Sequence, residues 1–483
     1  MLDPTTIRPN ILFIVADDLG AWAVRCAGNH EIHTPNIDKL AAEGVRCDNF
    51  FCASPVCSPA RASILTGRIP SQHGVHDYIR SGNVNKEKTA IEYLAGQPSY
   101  TEILADGGYS CALSGKWHLG NSRVPQKGFN RWFSIARGGC SYKRPDVVVN
   151  GDVRFEDGYI TNFITENGIS FMQEMSQEKK PFYLSVHYTA PHSPWERSEH
   201  LEQYLSLYDN CAFTSVPELP IHPCQVDSCP HGEKEERKEL LRGYYAAITA
   251  MDNGIGQLMQ ELDRLGIRED TLVAFISDNG MNMGHHGIWG KGNATSPLNV
   301  FDTSIKIPAI FRQPGVIPPG GTISDLLSQY DIFPTILEYT GLEPAVQQDL
   351  PGTSFVPLLK RKGQLGRKEV VIYDEYGPVR MIRTSDWKYV HRYPHGPHEL
   401  FDLVNDPGET DNRFDDKGLV QIRDGLRKRL GVWYARYVRP EFDGIYAAVT
   451  GFGQKGLAIP GMREGNSFDD KPPAPIPGAP KFF

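Results

Sequence analysis

Short, unbroken apolar runs alternate along this chain with longer stretches in which apolar residues return every three or four positions. The runs cover residues 10–16, 109–113, 181–188 and 271–277 and are rich in β-branched and aromatic side chains. Runs this short, without alternation, predict strands buried on both faces of a largely parallel sheet. Thr34-Pro35 ahead of residues 36–43, with Gly44 behind them, predicts a capped helix that has proline at its first position. Between residues 239 and 265, Leu240, Tyr244, Ile248, Met251, Ile255, Leu258, Leu262 and Leu265 fall at steps of three and four. That spacing predicts a long amphipathic helix with these residues in the core. The fold class implied is α/β: a sandwich with a large mixed, mostly parallel sheet between helices.

Beyond residue 365 the pattern changes. Residues 370–373, 380–383 and 388–393 predict short antiparallel strands separated by turns, and residues 419–437 a helix. We divide the chain into a catalytic domain (1–365), a smaller C-terminal α+β domain with a short antiparallel sheet (366–450) and an extended tail (451–483). The tail ends Pro-Pro-Ala-Pro-Ile-Pro-Gly-Ala-Pro before Lys-Phe-Phe. Such a composition cannot build a core and is expected to lie over its own subunit or a neighbour, which makes it a candidate contact for a homo-oligomer.

Composition excludes more than it assigns. The 483 residues carry 50 Lys and Arg against 58 Asp and Glu, for a formal charge of -8, and no basic stripe stands out. Nucleic acid is therefore not an expected partner. An anionic substrate would need clustered cations to overcome the mildly acidic whole. Residues 11–16 are too few to span a bilayer, and no basic segment followed by a longer apolar stretch opens the chain. No membrane partner is expected, and the expected location is cytoplasmic. The nine cysteines, scattered from Cys26 to Cys229, do not form the pattern of a disulfide framework. Cys211, His222, Cys224, Cys229 and His231 lack paired Cys-x-x-Cys spacing, and we read them as a variable loop rather than a zinc site.

Polar groups recur just after the predicted strands: Asp17-Asp18, Asp278-Asn279, Gly115-Lys116-Trp117-His118 and Pro191-His192. Ligands of open α/β sheets bind at the carboxyl ends of strands, so these groups are candidates for one pocket. Two acid-bearing pairs there supply hard oxygen ligands, which suit calcium or magnesium better than zinc. The competing reading is that the acids cap turns or helices after their strands. Cys57-Ser58-Pro59-Ala60-Arg61 adds a cysteine at or just before a predicted helix amino terminus, where unpaired amides favour an anion. Arg61 adds a fork of donors suited to a tetrahedral oxyanion.

Cys-x-Pro-x-Arg, followed by Leu65-Thr66-Gly67-Arg68, resembles the signature of type I sulfatases of the alkaline phosphatase superfamily. Asn10 to Asp18, Thr34 to Asp38, Gly115 to Gly120, Ala190 to His192, Ser277 to Gly280 and Leu400 to Leu403 extend the resemblance over residues 9–412. It implies that Cys57 is converted by a formylglycine-generating enzyme to formylglycine. It also implies that Asp17, Asp18, Asp278, Asn279 and the modified Cys57 hold Ca2+, with Mg2+ as the alternative. Arg61, Lys116, His118, His192 and Lys291 would then surround the sulfate. In the implied mechanism the aldehyde is hydrated and one hydroxyl attacks sulfur. His192 or Lys291 protonates the leaving oxygen, and His118 takes the proton of the second hydroxyl.

Residues 283–291 resemble the loop of choline sulfatases, carbohydrate sulfatases and phosphonate or phosphodiester hydrolases, which makes His286 and Trp289 candidates to face the leaving group. Trp289 reads as a packing residue ahead of a stacking one. Arg380, Arg383, Lys388, His391 and Arg392, near predicted strand ends, are candidates for a second anionic group. The expected activity is exo-acting hydrolysis of sulfate monoesters on a sulfated carbohydrate. Choline or aryl sulfatase and phosphonate monoester or phosphodiester hydrolase are the enzymatic alternatives. A sulfoglycan-binding protein with an unmodified Cys57 is the non-catalytic one.

Overall fold

A computed structural model describes residues 8–84, 90–344, 349–361, 371–458 and 467–468. The predicted boundary at residue 365, the first residue of the strand predicted from Val370 and the Pro-rich end of the tail lie outside them. The centre is a ten-stranded sheet built from β1 (Asn10–Ala16), β2 (Val45–Cys47), β3 (Ser110–Gly115), β4 (Arg131–Ile135) and β5 (Asp146–Val149). It continues with β6 (Asp152–Phe155), β7 (Phe182–His187), β8 (Thr271–Ser277), β9 (Ala309–Arg312) and β10 (Gly321–Ile323). Their order is β10-β2-β9-β8-β1-β7-β3-β4-β5-β6. The central five, β8-β1-β7-β3-β4, run parallel, and antiparallel pairs flank them on both sides.

Both faces of the central strands are covered, which explains their continuous apolarity. Leu12 and Ile14 of β1 enter one core, while Ile11, Phe13 and Val15 enter the other. The first core is closed by α1 (Pro35–Glu43), α4 (Ile160–Ser176) and α5 (Lys234–Leu265). The second is closed by α2 (Cys57–Thr66), α3 (Tyr100–Asp106) and α6 (Ile332–Thr340). Each large apolar side chain fully withdrawn from water in these cores contributes about 1.5–3 kcal/mol. Helix α5 starts five residues before the predicted stretch, and of the eight predicted core residues only Leu265 is not fully buried.

A four-stranded antiparallel sheet follows, made of β11 (Ile372–Tyr376), β12 (Val379–Arg383), β13 (Trp387–Arg392) and β14 (Glu399–Asp402), with α7 (Val420–Tyr437) packed against it. Strand β14 carries the Leu400–Leu403 match but lacks a signal of its own, being only four residues long. The nine cysteines are all free. Among the described residues, no helix is long and apolar enough to cross a membrane.

Candidate active site

The parallel strands deliver their next residues to one end of the sheet. β1 is followed by Asp17 and Asp18, β8 by Asp278 and Asn279, and β3 by Lys116 and His118; His192 follows β7 after a short turn. Cys57 opens α2, whose ten residues are all buried. Asp18 and His118 adopt left-handed backbone, φ 65° and φ 54°, a costly conformation for residues with a Cβ. Asp18 is held in it by its own amide, which donates to Asp278 Oδ1 at 3.1 Å.

Three buried carboxylates meet three buried cations. Lys116 Nζ lies 2.5 Å from Asp17 Oδ2, and Arg61 Nη2 lies 2.9 Å from Asp278 Oδ2 and 3.7 Å from Asp17 Oδ1. Lys291 pairs with Asp18 and also donates to Cys57 Sγ at 2.8 Å. Burial pushes Asp17 up to about 8, only partly opposed by Lys116. Burial acts on Asp18 and Asp278 too, but neighbouring cations hold both carboxyls below their ordinary values: Lys291 first for Asp18, Arg61 first for Asp278. The Cys57 thiol is pushed up to about 12 by burial, so as a plain cysteine it stays protonated.

The two histidines are neutral in this setting. Burial, with the nearby Lys116 charge, drives His118 well below the usual imidazole range. Burial also takes His192 down to about 4. His118 Nε2 is 2.9 Å from the Ile79 carbonyl, which can only accept, so Nε2 carries the hydrogen. Its Nδ1 is buried without a hydrogen-bond partner.

The acid cluster fits a hard divalent cation on two observations. One oxygen each from Asp17 and Asp18 and the sulfur of Cys57 lie within 4.8 Å of one another. Asp17 Oδ1 and Asn279 Oδ1 are buried with no hydrogen-bond donor, an arrangement that costs free energy unless a ligand meets it.

Above this floor opens a pocket of about 500 Å³, within the size range of small-molecule sites. Asp18, Cys57, His118, His192 and Lys291 line it; Asp17, Arg61, Lys116, Asp278 and Asn279 lie underneath. Seven sequence candidates are not brought to it; among them Lys388 pairs with Asp302 and Glu409, Arg392 with Glu399, and His391 stacks on His398. Trp289 is 2% exposed and packs in the first core. His286 stacks on Phe301 at 4.1 Å between ring centroids. Arg380 pairs with Glu375 and Asp443, and Arg383 with Asp302. The last two corrections share a cause: on short buried strands a guanidinium must find an acid within the protein, and both did.

Several residues around the site carried no sequence signal. Tyr78, Arg80, Arg137, Gly138, Gly139, Asp227 and Phe452 line the pocket. His187 sits under it, its Nδ1 3.3 Å from Arg61 Nη1. Gln329 clamps the Asp278 turn, donating to the Asp278 carbonyl at 2.5 Å and to that of Ser277 at 3.1 Å. Only the repeated glycines at 138 and 139 offered a clue, since adjacent glycines mark close backbone approach.

A site in which buried carboxylates and cations crowd beneath a small pocket is suited to an anion, and its acid cluster fits a hard divalent cation. Residues 9–342 match the sulfatase family's sequence model, and residues 284–435 match that of N-sulphoglucosamine sulphohydrolase, C-terminal. The chain belongs to the sulfatase family and is a sulfuric ester hydrolase. It is 28% identical to N-acetylglucosamine-6-O-sulfatase of Bacteroides thetaiotaomicron, covering 88% of this chain and 87% of that one. It is 27% identical to choline-sulfatase of Rhizobium meliloti, covering 84% and 83%. A structure solved in complex with its substrate D-glucosamine-2-N,6-O-disulfate superposes with a TM-score of 0.75 and 25% identity, over 90% of this chain and 99% of that one.

Proposed function

We propose that the protein is an exo-acting sulfatase that removes sulfate from a sulfated carbohydrate, using formylglycine made from Cys57 and a calcium ion. The observation that carries the reading is the convergence of Asp17, Asp18 and Cys57, with the undonated Asp17 and Asn279 oxygens, beneath a pocket that also presents His118, His192 and Lys291. Asp17, Asp18, Asp278, Asn279 and the modified Cys57 would hold the cation, which supplies two positive charges for the sulfate oxygens. Formylglycine supplies a hydrated aldehyde oxygen as the nucleophile in place of a protonated thiol.

The chain's own groups complete the chemistry. A bound divalent cation would favour the ionised form of Asp17; the three carboxylates then balance Arg61, Lys116 and Lys291, and the cation's charge leaves the site electropositive and able to accept an anion. Lys291, beside Cys57, is placed to hold a sulfate oxygen. The hydrogen that His118 Nε2 gives to Ile79 leaves Nδ1 as the lone pair that can take a proton. His192, one quarter exposed at the pocket surface, is the candidate beside Lys291 to protonate the leaving oxygen, a role that needs the negative charge of a bound sulfate to raise its proton affinity.

The saccharide reading draws on relatives: the N-acetylglucosamine-6-O-sulfatase, an ulvan-active sulfatase of Formosa agariphila and the disulfated glucosamine complex. To test it, the protein is co-expressed with a formylglycine-generating enzyme, the Cys57 peptide is weighed, and sulfate release is measured. The panel holds N-acetylglucosamine-6-sulfate, choline sulfate, 4-nitrophenyl sulfate and an aryl phosphodiester. Release from the sugar that disappears in Cys57→Ala is expected. Confirmed formylglycine with turnover of the phosphodiester alone would overturn the reading.

A further inference from the structure

The pocket has a wall built by the C-terminal segment of the chain. Gly451 and Phe452, from the Gly/Pro-rich C-terminal segment, line it beside Tyr78, Arg80 and Asn293. This segment lies beyond both matched family regions, which end at residue 435. It crosses between two parts of the site. On one side Asn293, two residues after Lys291, donates to the Gly451 carbonyl at 3.3 Å. On the other Tyr78 Oη donates to the Phe452 carbonyl at 2.8 Å, next to Ile79, whose carbonyl orients His118.

Two buried polar side chains fix the crossing. Gln454 is fully buried and uses both ends of its amide: Oε1 accepts from His76 N at 2.9 Å, and Nε2 donates to the carbonyls of Gly74 and Gly456, each at 3.0 Å. Its backbone pairs with the same segment, Gln454 N to Tyr78 O and Arg80 N to Gln454 O, both 2.8 Å. Asp77, also fully buried, accepts from Gly453 N at 3.0 Å and from Tyr376 Oη at 2.6 Å. Gly453 has φ +109° and packs against the Tyr78 ring, a conformation and approach that a side chain would obstruct. Phe468 pairs with Gln454 on the other side, its ring 6.3 Å from that of His76.

A buried Gln that satisfies two backbone groups of another segment and one of its own is a built anchor, and a strap so anchored has a defined position. We infer that residues 451–454 are a specificity strap: they close one side of the pocket so that a terminal sulfated sugar enters and a residue inside a longer chain does not. The inference rests on the saccharide reading above. Phe452 and Tyr78 give the sugar ring an apolar flank, while Arg80, Arg137 and Asp227 give its hydroxyls and any second charged substituent polar partners.

The test uses the full chain with formylglycine installed, as wild type, Gln454→Ala and Phe452→Ala. Three probes are compared by kcat/KM: 4-nitrophenyl sulfate, N-acetylglucosamine-6-sulfate, and a tetrasaccharide with the same ester on an internal residue only. Wild type should prefer the monosaccharide over the internal ester by at least tenfold. Both variants should narrow that preference by at least tenfold, through a gain in kcat/KM on the internal ester rather than only a loss on the monosaccharide. Melting temperatures identify a variant that is merely unfolded, and Phe452→Ala removes no hydrogen bond of the anchor. A preference unchanged in two folded variants, or a wild type that cuts terminal and internal esters alike, overturns the strap. Turnover of the aryl sulfate with neither saccharide cleaved refutes the saccharide reading instead.

Discussion

Gly138 offers a sharp test of how tightly His118 is held. A Cβ built on Gly138 falls 2.3 Å from His118 Cε1, 2.4 Å from Nε2 and 2.9 Å from Nδ1. Carbon contacts need about 3.5–4.0 Å, so either the ring or the 137–139 loop must yield by more than 1 Å. The ring cannot swing freely, because Nε2 is tied to the Ile79 carbonyl and the residue's backbone is left-handed. Gly139 is a matched control: its Cβ would sit 3.3 Å from His192 Cε1, a tight contact that a few tenths of an ångström relieves. A misplacement of about 1 Å costs roughly 10²-fold in rate, or about 2.7 kcal/mol of barrier. Gly138→Ala should therefore lower kcat on 4-nitrophenyl sulfate about a hundredfold with KM little changed, and Gly139→Ala less than about fivefold. Steady-state kinetics on formylglycine-bearing protein, with urea denaturation as the folding control, measure both. A folded Gly138→Ala within threefold of wild type would show that His118 is not held as argued.

Four further outcomes follow from the geometry. Chelation of divalent ions should abolish activity and lower Tm, and excess Ca2+ at about a hundredfold over Kd should restore about 2.7 kcal/mol of stability; an unmoved Tm would count against the ion. Gln329→Leu leaves the Ala53 amide and the Asp278 turn without their clamp, so a loss of about 1–3 kcal/mol is expected in urea melts. Lys388→Met strips the buried pairs with Asp302 (3.1 Å) and Glu409 (2.6 Å), and should cost about 3–5 kcal/mol; a loss below 1 kcal/mol would refute it. Stability should also fall in acid. Burial takes His200 down to about 4, below the unfolded value near 6.5, so the unfolded chain binds the proton first as pH drops. That contribution is complete above pH 6.5 and is lost toward pH 4, amounting to about 2 kcal/mol by pH 5; His200→Gln should flatten the urea midpoint across this window.

The sequence alone determined the elements that bury both faces, because continuous apolarity in short runs and a three-four repeat leave few other structures. β1 and β8 span the predicted residues, and α1 starts at Pro35, the predicted first position. It also determined which chemical groups follow the strands, since a parallel sheet presents all its strand ends on one side. Strand β14 was missed because four residues carry too little pattern. What only the tertiary structure decided is partnership across long separations. Arg380 and Arg383 look like any exposed cations until Glu375, Asp443 and Asp302 are seen beside them. Phe452 and Gln454 sit in a stretch whose composition predicts an extended tail, yet more than 370 residues of chain bring them back against His76 and Tyr78. Local pattern fixes burial and periodicity because they depend on neighbours three or four residues away. Ion-pair choice and pocket walls depend on which distant segments packing makes adjacent, and no local pattern encodes that.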